Sequence, residues 1–406
     1  MKKILALFLC VCTLCMYGDF NVKKFGAVGN GQVDDTAAIQ KAFDAAAKST
    51  RGFVSYGKHP KSSYYGSGPT VVFPHGVYKI TATIQIAAFV NMSGLNSSAV
   101  LRWDGAENGT MFQVNAYRNR VEKLVFVGGG VQLFVTNRNT DKTMFTVRDC
   151  QFLYASDTAV KLEPPRGVSH LSTQSLIEGC LFSKNYRCVQ NFGDLMEIRN
   201  CWIDQTQPYM ADGAAFINRY GTMKIAFCCL TPSANPNKGA DYYHNARWVD
   251  NYDRFEAESV RFGGEGGGIP AVYNYAKAAA IHPHTDGGRV VITNCLTACG
   301  QVNRENGAIV RLFEIPMQLT IRDCYAIGGI PLIVCDPALN IPETLKKNPR
   351  GMENCRFHIS NNNLHSKTVN AVPEKLKPFF RDGKSDCTFS KVTPRPVPEK
   401  ITKGAK

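Results

Sequence analysis

The sequence has little charge and few tryptophans for its length. Only 20% of its 406 residues are charged and three are tryptophan, while 44% are hydrophobic. This composition excludes the charge-rich, apolar-poor chains that stay disordered. Acidic residues are the minority, with 33 Asp and Glu against 47 Lys and Arg, so the formal net charge is +14. A protein this positive favours anionic partners, of which an acidic polysaccharide is one.

The chain has no long apolar run after its first residues. Lys2 and Lys3 precede an apolar run from Ile4 to Cys15, a layout typical of a secretory signal peptide and too short to span a bilayer. We therefore expect residues 1–18 to be a cleaved signal peptide, the protein to be secreted or periplasmic, and no membrane span. We expect no nucleic acid partner, because the lysines cluster in the termini rather than alternate with aromatics on one strand.

Cysteine recurs in a six-residue pattern rather than in metal-binding pairs. The pattern runs apolar, any residue, small polar, Cys, any residue, apolar, and its clearest copies centre on Cys150, Cys180, Cys201 and Cys324. With weaker copies, the marked positions are 93, 124, 150, 180, 201, 228, 260, 295, 324 and 362. Nine intervals over 269 residues give a mean spacing near 30. Short β-type segments at this spacing, without long helical patterns, predict a coiled parallel sheet.

The predicted fold class is all-β, a single-stranded parallel β-helix of about ten coils with an N-terminal capping α-helix. That helix should begin after Asp34 or Asp35 and run to about Lys48. The β-helix domain is expected over residues 19–365, followed by a Lys/Pro-rich tail over residues 366–406.

Equivalent residues of such a fold stack into ladders. The in-register cysteines are therefore expected to form a buried thiol stack rather than a disulfide framework, with the Asp or Asn before each one satisfying backbone groups of a turn. Cys355 and Cys387 are the stronger disulfide candidates. We expect no metal site: His282, His284 and Asp286 lie close together in the sequence, but this pattern is more typical of a surface loop.

Two stretches resemble a known family. FGAVGNGQVDDTAAIQKAFDAA (Phe25–Ala46), followed by VVFPHGVYKITATIQI (Val71–Ile86), resembles the entry segment of the pectate lyase superfamily, the right-handed β-helix proteins that include polygalacturonase-like hydrolases and phage tailspikes. The resemblance covers about residues 20 to 100. It implies one right-handed parallel β-helix and a polysaccharide partner. It does not imply the reaction, because hydrolases, lyases, epimerases and non-catalytic adhesins share this segment.

Three acids recur on the strand that follows the cysteine pattern, namely Asp157, Asp212 and Glu265. Neighbouring members are two coils apart, roughly 9 to 10 Å, which suits an inverting glycosidase pair with a water between its carboxyl groups. The leading hypothesis is a secreted carbohydrate-active enzyme that cleaves a polysaccharide. It would be a glycoside hydrolase with Asp157 and Asp212 as acid and base, Glu265 as a substitute for either, and no required cofactor. The stretch SDTAVKL around Asp157 resembles the active strand of polygalacturonases, but their Gly-His-Gly and Arg-Ile-Lys motifs are absent.

The first alternative is a polysaccharide lyase acting on a uronate-containing polymer. It needs a base for the proton beside the uronate carboxylate, and cations or Ca²⁺ to neutralise that carboxylate. No base stands out in the sequence. The candidate substrate-binding cations are Lys161, Arg187, Arg219, Arg247 and Arg311.

The second alternative is a glycan-binding or adhesive β-helix without catalysis, and a third is a structural surface protein. Paired tyrosines are candidates for stacking on sugar rings at the rim of a groove. They are Tyr64, Tyr65, Tyr242, Tyr243, Tyr273 and Tyr275. The sequence does not specify the sugar, the linkage or the oligomeric state.

Overall fold

A computed structural model gives the architecture. It describes residues 20–49, 68–96, 98–115, 117–136, 143–206, 213–233, 247–263, 271–276, 288–298, 308–327, 332–339, 341, 356–360, 362–364, 376 and 389–391.

One α-helix, α1 (Thr36–Ser49), lies near the start of the described chain and follows a short 3₁₀ helix (Val22–Phe25). Asp34 accepts a hydrogen bond from the Thr36 backbone N–H at 3.0 Å. Asp35 turns away and accepts hydrogen bonds from the backbone N–H groups of residues 28 and 29. The apolar face of α1 is buried and packs on the 3₁₀ helix and on the first strands, as its sequence period predicts.

The described strands pair in parallel, and their pairings form three ladders, which we call front, side and back. The front ladder consists of β5 (Ile84–Ile86), β8 (Thr110–Asn115), β11 (Val131–Thr136), β14 (Thr158–Leu162), β17 (Val189–Arg199), β19 (Ala214–Ala226), β21 (Arg247–Asn251), β24 (Val272–Asn274), β27 (Val310–Leu312) and β30 (Ile333–Cys335).

The side ladder shares the long, bent strands β17 and β19 with the front ladder. Its other members are β1 (Phe20–Asn21), β3 (Thr70–Phe73), β6 (Asn91–Gly94), β9 (Asn119–Glu122), β12 (Thr143–Arg148), β15 (Leu171–Glu178), β22 (Arg254–Glu258), β25 (Arg289–Thr293), β28 (Gln318–Arg322) and β31 (Arg356–Ser360).

The back ladder is a separate sheet of 13 strands. They are β2 (Asn30–Asp34), β4 (Gly76–Ile80), β7 (Ala99–Trp103), β10 (Leu124–Val127), β13 (Gln151–Leu153), β16 (Leu181–Ser183), β18 (Trp202–Thr206), β20 (Cys229–Ser233), β23 (Arg261–Phe262), β26 (Leu296–Ala298), β29 (Tyr325–Ile327), β32 (Asn362–Leu364) and β33 (Phe389–Lys391).

The chain visits the ladders in a fixed order. β11, β12 and β13 lie on front, side and back, and β14, β15 and β16 repeat the circuit one rung further along. This is the topology of a parallel β-helix, and it confirms the predicted all-β class with long parallel sheets. The handedness, the number of coils, the capping role of α1 and the domain boundaries stay predictions. No helix within the described part of the chain is long and apolar enough to cross a membrane.

The corner between side and back is made by a single left-handed residue. Asp149, Asn200 and Asp323 have φ between 52° and 55°, and each stands directly before a cysteine of the repeat. Asn, Asp and Gly tolerate this conformation better than other residues. Lys123, Phe227 and Ser259 take the same conformation before other marked positions, so this corner favours a small polar residue without requiring one. That its side chain satisfies the turn stays a prediction.

The cysteines that follow these corners point inward and stack. Cys150, Cys180, Cys201, Cys228, Cys295 and Cys324 are all buried and all free thiols. The backbone N–H of Cys180 donates to Sγ of Cys201, and that of Cys201 donates to Sγ of Cys228, at 3.4 Å each. Hydrogen bonding to Cys201 and burial raise the pKa of the Cys228 thiol far above its usual value. The predicted thiol stack is confirmed, while Cys355 and Cys387 lie outside the described residues.

Candidate functional site

The front ladder carries a row of residues aligned by strand register, most of them polar and several of them buried. On β14, Val160 and Leu162 are fully buried and Lys161 between them is half-exposed. Arg311 lies in the same way between two buried neighbours on β27. Strand register places one residue from each coil in line with these two, and we call these residues the front row. Its members from β11 to β27 are Phe134, Lys161, Gln190, Ile217, Asp250, Tyr273 and Arg311.

Asp157 lies just before β14 and is surrounded by predicted substrate-binding cations. One carboxylate oxygen accepts a hydrogen bond from Nη1 of Arg187 at 3.1 Å, and the other lies 3.5 Å from Nζ of Lys161. Lys161 also contacts Glu163 at 3.2 Å. The structure thus brings three predicted site residues together, with Asp157 as the counter-ion of two cations. Asp212 and Glu265 lie outside the described residues, so the Asp157–Asp212 pair stays a prediction.

Higher on the same ladder, Arg247 and Arg311 flank one aromatic ring. Arg247 makes a two-pronged ion pair with Asp250, at 2.6 and 2.7 Å, and Asp250 is only 3% exposed. Nη2 of Arg311 lies 2.8 Å from a carboxylate oxygen of Asp336. Both guanidinium groups lie over the Tyr273 ring, 5.3 and 5.6 Å from its centre. These arginines were predicted as binding residues, but the carboxylates that fix them were not.

A line of stacked groups follows the corner between front and side. Tyr252 stacks on Tyr275 with ring centres 4.9 Å apart, and Tyr275 stacks on Phe313 at 4.6 Å. At the other end, the guanidinium of Arg219 lies 4.4 Å from the centre of the Tyr252 ring. We call these four residues the ring ridge. Tyr252 is 37% exposed and Arg219 is exposed, so this line presents flat apolar surfaces and a cation to solvent.

An asparagine ladder beneath the ridge sets its spacing. The buried side chains of Asn191, Asn218, Asn251 and Asn274 are joined amide to carbonyl in three hydrogen bonds of 2.9, 3.1 and 2.9 Å. Three ridge residues, Arg219, Tyr252 and Tyr275, come directly after a ladder asparagine. The fourth, Phe313, follows Leu312, which strand register pairs with Asn274. The rings therefore repeat at the interval of the coils. Sequence analysis missed this ladder, although an apolar-x-Asn tripeptide recurs at Val189, Phe216, Val249 and Val272.

A histidine and a tyrosine stack at the Arg219 end of the ridge. The rings of His170 and Tyr220 have centres 4.2 Å apart and planes within 15° of parallel. Nε2 of His170 lies 3.6 Å from Oδ1 of Asp194, and Nδ1 lies 2.8 Å from the Ser169 hydroxyl. Tyr220 directly follows Arg219 in β19. Burial, then Asp194 and Asp253, raise the pKa of Tyr220, so its phenol keeps its proton.

Gly221 makes the bend that presents Tyr220. Its φ is 70°, and a Cβ at this position would lie 2.2 Å from the carbonyl oxygen of Gly193 on the neighbouring coil. Its backbone N–H donates to Asp253 at 2.7 Å, and its carbonyl accepts from Asn218 at 3.1 Å. Only glycine fits this approach without strain. The pair of His170 and Tyr220 was missed because 50 residues separate its members and only strand register joins them.

Several predicted groups have no described position. The tyrosines at 64, 65, 242 and 243, and the His-Pro-His-Thr-Asp segment at 282–286, lie outside the described residues. Among the side chains that are described, no group of three or more His, Cys, Asp or Glu is arranged to hold a metal ion.

Residues 20–108 match a family model described as rhamnogalacturonase A/epimerase, pectate lyase-like. The match confirms the resemblance predicted for the entry segment. Mannuronan C5-epimerase AlgE2 of Azotobacter vinelandii is 43% identical over 96 residues, which are 21% of this chain and 8% of that protein. Mannuronan C5-epimerase AlgE4 of the same organism is 41% identical over 98 residues, 22% of this chain and 15% of that protein. The chain therefore aligns with only a small part of the length of these curated relatives.

Among solved structures, ORF18 of Geobacillus virus E2 superimposes with a TM-score of 0.51. The match covers 90% of this chain and 65% of that chain at 13% sequence identity. This similarity supports the fold and carries no inference about function.

Proposed function

We propose that the protein binds an acidic polysaccharide along the front row and the ring ridge, and that it moves a proton at C5 of a uronate unit, as a lyase or an epimerase does. The observation that carries the proposal is the stacked pair of His170 and Tyr220 beside Arg219. The mannuronan C5-epimerases that resemble the entry segment support the choice of a uronate polymer. Secretion, predicted from the first residues, is part of this proposal.

The chemistry requires a base, an acid and a cation. The C5 proton is acidic because it lies beside a carboxylate, and a cation that neutralises this carboxylate stabilises the charge formed when the proton leaves. Arg219 is the exposed cation at this end of the ridge, and no carboxylate of the described residues forms an ion pair with it.

His170 and Tyr220 divide the proton transfers between them. His170 is the base, because imidazole is the side chain that most often serves as a general base. Tyr220 is the acid, because its raised pKa keeps the phenol protonated. In elimination, His170 takes the C5 proton, the bond from C4 to the leaving oxygen breaks, and Tyr220 protonates that oxygen. Because the two rings are stacked on each other, both reach the same face of a sugar, which suits elimination; epimerisation would need another acid on the opposite face.

The ring ridge supplies binding. Sugar rings stack on aromatic faces through their C–H groups, and the ridge offers Tyr252, Tyr275 and Phe313 in a line. The neighbouring Arg247 and Arg311 are already paired with Asp250 and Asp336, so Arg219 is the cation that this surface offers to a carboxylate. A net charge of +14 attracts the polymer before any specific contact forms.

The other hypotheses are distinguished by products. The hydrolase hypothesis needs Asp157 free to act with Asp212, whereas in the structure Asp157 is held by Arg187 and Lys161. A glycan-binding protein without catalysis would use the same ridge and give no product. A requirement for Ca²⁺ is tested by adding a chelator.

The test is incubation of the purified protein with polymannuronate, polygalacturonate and a neutral glucan in D₂O. Deuterium at C5 with inverted units indicates epimerisation, and ultraviolet absorbance with new reducing ends indicates elimination. We expect His170→Gln and Tyr220→Phe each to lower the rate at least about 100-fold. The matched controls, His358→Gln on the side ladder and Tyr154→Phe at the back, should have the same rate as the parent protein.

Other outcomes would favour the alternatives. New reducing ends without ultraviolet absorbance, lost with Asp157→Asn, would establish the hydrolase. Binding without products would establish the adhesin.

A further inference from the structure

A small cavity opens on the side ladder, in the early coils. Its volume is about 60 Å³, and its lining includes Arg118, Asn119 and Arg120 on or beside β9 and Met144 and Thr146 on β12. A cavity of this size holds several water molecules, and hence one small oxyanion. The seven described residues that line it include two arginines and no carboxylate.

Arg120 differs from the other described arginines of the side ladder. Four of those have carboxylate partners: Arg148 and Arg199 both contact Glu178, Arg289 contacts Glu256, and Arg322 contacts Asp323, at 2.8 to 3.3 Å. Arg120 is exposed, and within the described part of the chain no carboxylate lies within the 4.0 Å of an ion pair. Its charge is therefore available to a ligand.

The walls of the cavity are held in place before any ligand binds. Asn119 is buried, and its amide donates to the carbonyls of Ala87 and Val90 at 2.9 and 2.7 Å. The side-chain oxygen of Asn91 accepts from the Arg120 backbone N–H at 2.9 Å. Strand register places Thr146 beside Arg120, and both residues line the cavity. The Arg120 guanidinium beside a fixed polar wall is suited to an oxyanion.

We infer that this cavity is a second binding site, distinct from the ring ridge, for one oxyanion group, either a carboxylate or a sulfate. The site lies on the side ladder around β6, β9 and β12, whereas the ridge lies on β19 to β27. It stands whether or not the protein acts on uronates. The same chemistry is offered by a free anion and by an acidic sugar within a polymer.

The test is calorimetric titration of the full-length protein with sodium sulfate, with glucuronate and with a short uronate oligomer, at constant ionic strength set by NaCl. We expect saturable binding, weakened at least about tenfold in Arg120→Gln and unchanged in Arg322→Gln, the matched arginine that already has a partner. Tyr252→Ala should leave the sulfate titration unchanged, because the ridge is not involved. Circular dichroism of each variant verifies folding.

The outcomes separate the sources of the anion. Tighter binding of the oligomer than of glucuronate, lost with Arg120→Gln, supports a site for a polymer, and equal binding of sulfate and glucuronate supports a site for free anions. No saturable binding to the parent protein would overturn the inference. It would also be overturned if Arg322→Gln weakened binding as much as Arg120→Gln, since the effect would then be one of overall charge.

Discussion

The chain turns at two corners of each coil, and different interactions stabilise the two turns. The corner between side and back uses one left-handed residue followed by a buried thiol, as at Asn200 and Cys201. The corner between front and side uses a buried asparagine that hydrogen-bonds to the coils on both sides, as at Asn218. The first corner is tight and local. The second holds successive coils together and presents exposed rings, so the candidate site lies where the fold is held by side chains.

The largest expected loss of stability comes from removing one asparagine of the ladder between the front and side strands. Asn218→Ala deletes hydrogen bonds to Gly221, Asn251 and Arg254 and leaves buried groups unpaired. We expect a loss of about 3 kcal/mol in the free energy of unfolding, measured by urea titration with circular dichroism. The control, Asn294→Gly at a side-to-back corner, keeps the left-handed φ of 52° without strain and loses one exposed hydrogen bond to Ser259, so it should cost less than about 1 kcal/mol. Equal losses would contradict the distinction between the corners.

High pH should weaken the front-to-side corner. Burial, then the charge of Asp250, raises the pKa of Tyr275 to about 12. The folded state therefore holds this proton more tightly than the unfolded chain, whose tyrosines titrate near pH 10. The stabilisation is fully present below about pH 10 and is lost as the pH rises toward 12.

We expect a loss of about 2 kcal/mol from Tyr275 over that pH range. Urea titrations at pH 8 and pH 11.5 measure it, and Tyr275→Phe should reduce the loss. Burial also raises the pKa of Tyr78 to about 12. Its ionisation should therefore add to the loss of stability at high pH, and Tyr78→Phe measures that contribution. A parent protein with equal stability at both pH values would be inconsistent with this account.

The side-to-back corner should respond to backbone conformation. Asn200 has φ of 54°, where a β-branched residue is strained. We expect Asn200→Val to cost about 1 to 2 kcal/mol and Asn200→Gly to be nearly neutral. The same urea titration measures both, and a glycine variant as unstable as the valine variant would show that the side chain, and not the backbone, matters there.

The smallest effect on stability is expected at the ridge itself. Arg219→Ala removes an exposed cation stacked on Tyr252 and should change the unfolding free energy by less than about 0.5 kcal/mol. The affinity of this variant for a uronate oligomer should fall about fivefold to tenfold, because a contact of the cation with the bound sugar is worth about 1 kcal/mol. Calorimetric titration measures it, with Arg261→Ala on the back ladder as the control. Unchanged affinity would remove Arg219 from the binding surface.

The sequence predicted the fold better than the site, for a physical reason. The cysteine repeat marks a corner that is local in sequence, so six residues carry the signal for it. Alternation on β14 and β27 likewise gave the outward direction of Lys161 and Arg311. The site depends on register between coils: the contacts of Asp157 with Arg187, and of His170 with Tyr220, span 30 and 50 positions. No local pattern encodes such pairs.

The coil repeat also gives this surface a modular length. Each circuit adds one rung to every ladder, and its contacts are with the circuits directly before and after it, so insertion or removal of a whole circuit preserves the register of the rest. An inserted circuit with an asparagine followed by an aromatic residue would extend the row of rings by one step. Proteins built this way can fit polymers of different lengths by recombining whole circuits, without altering the residues that perform the chemistry.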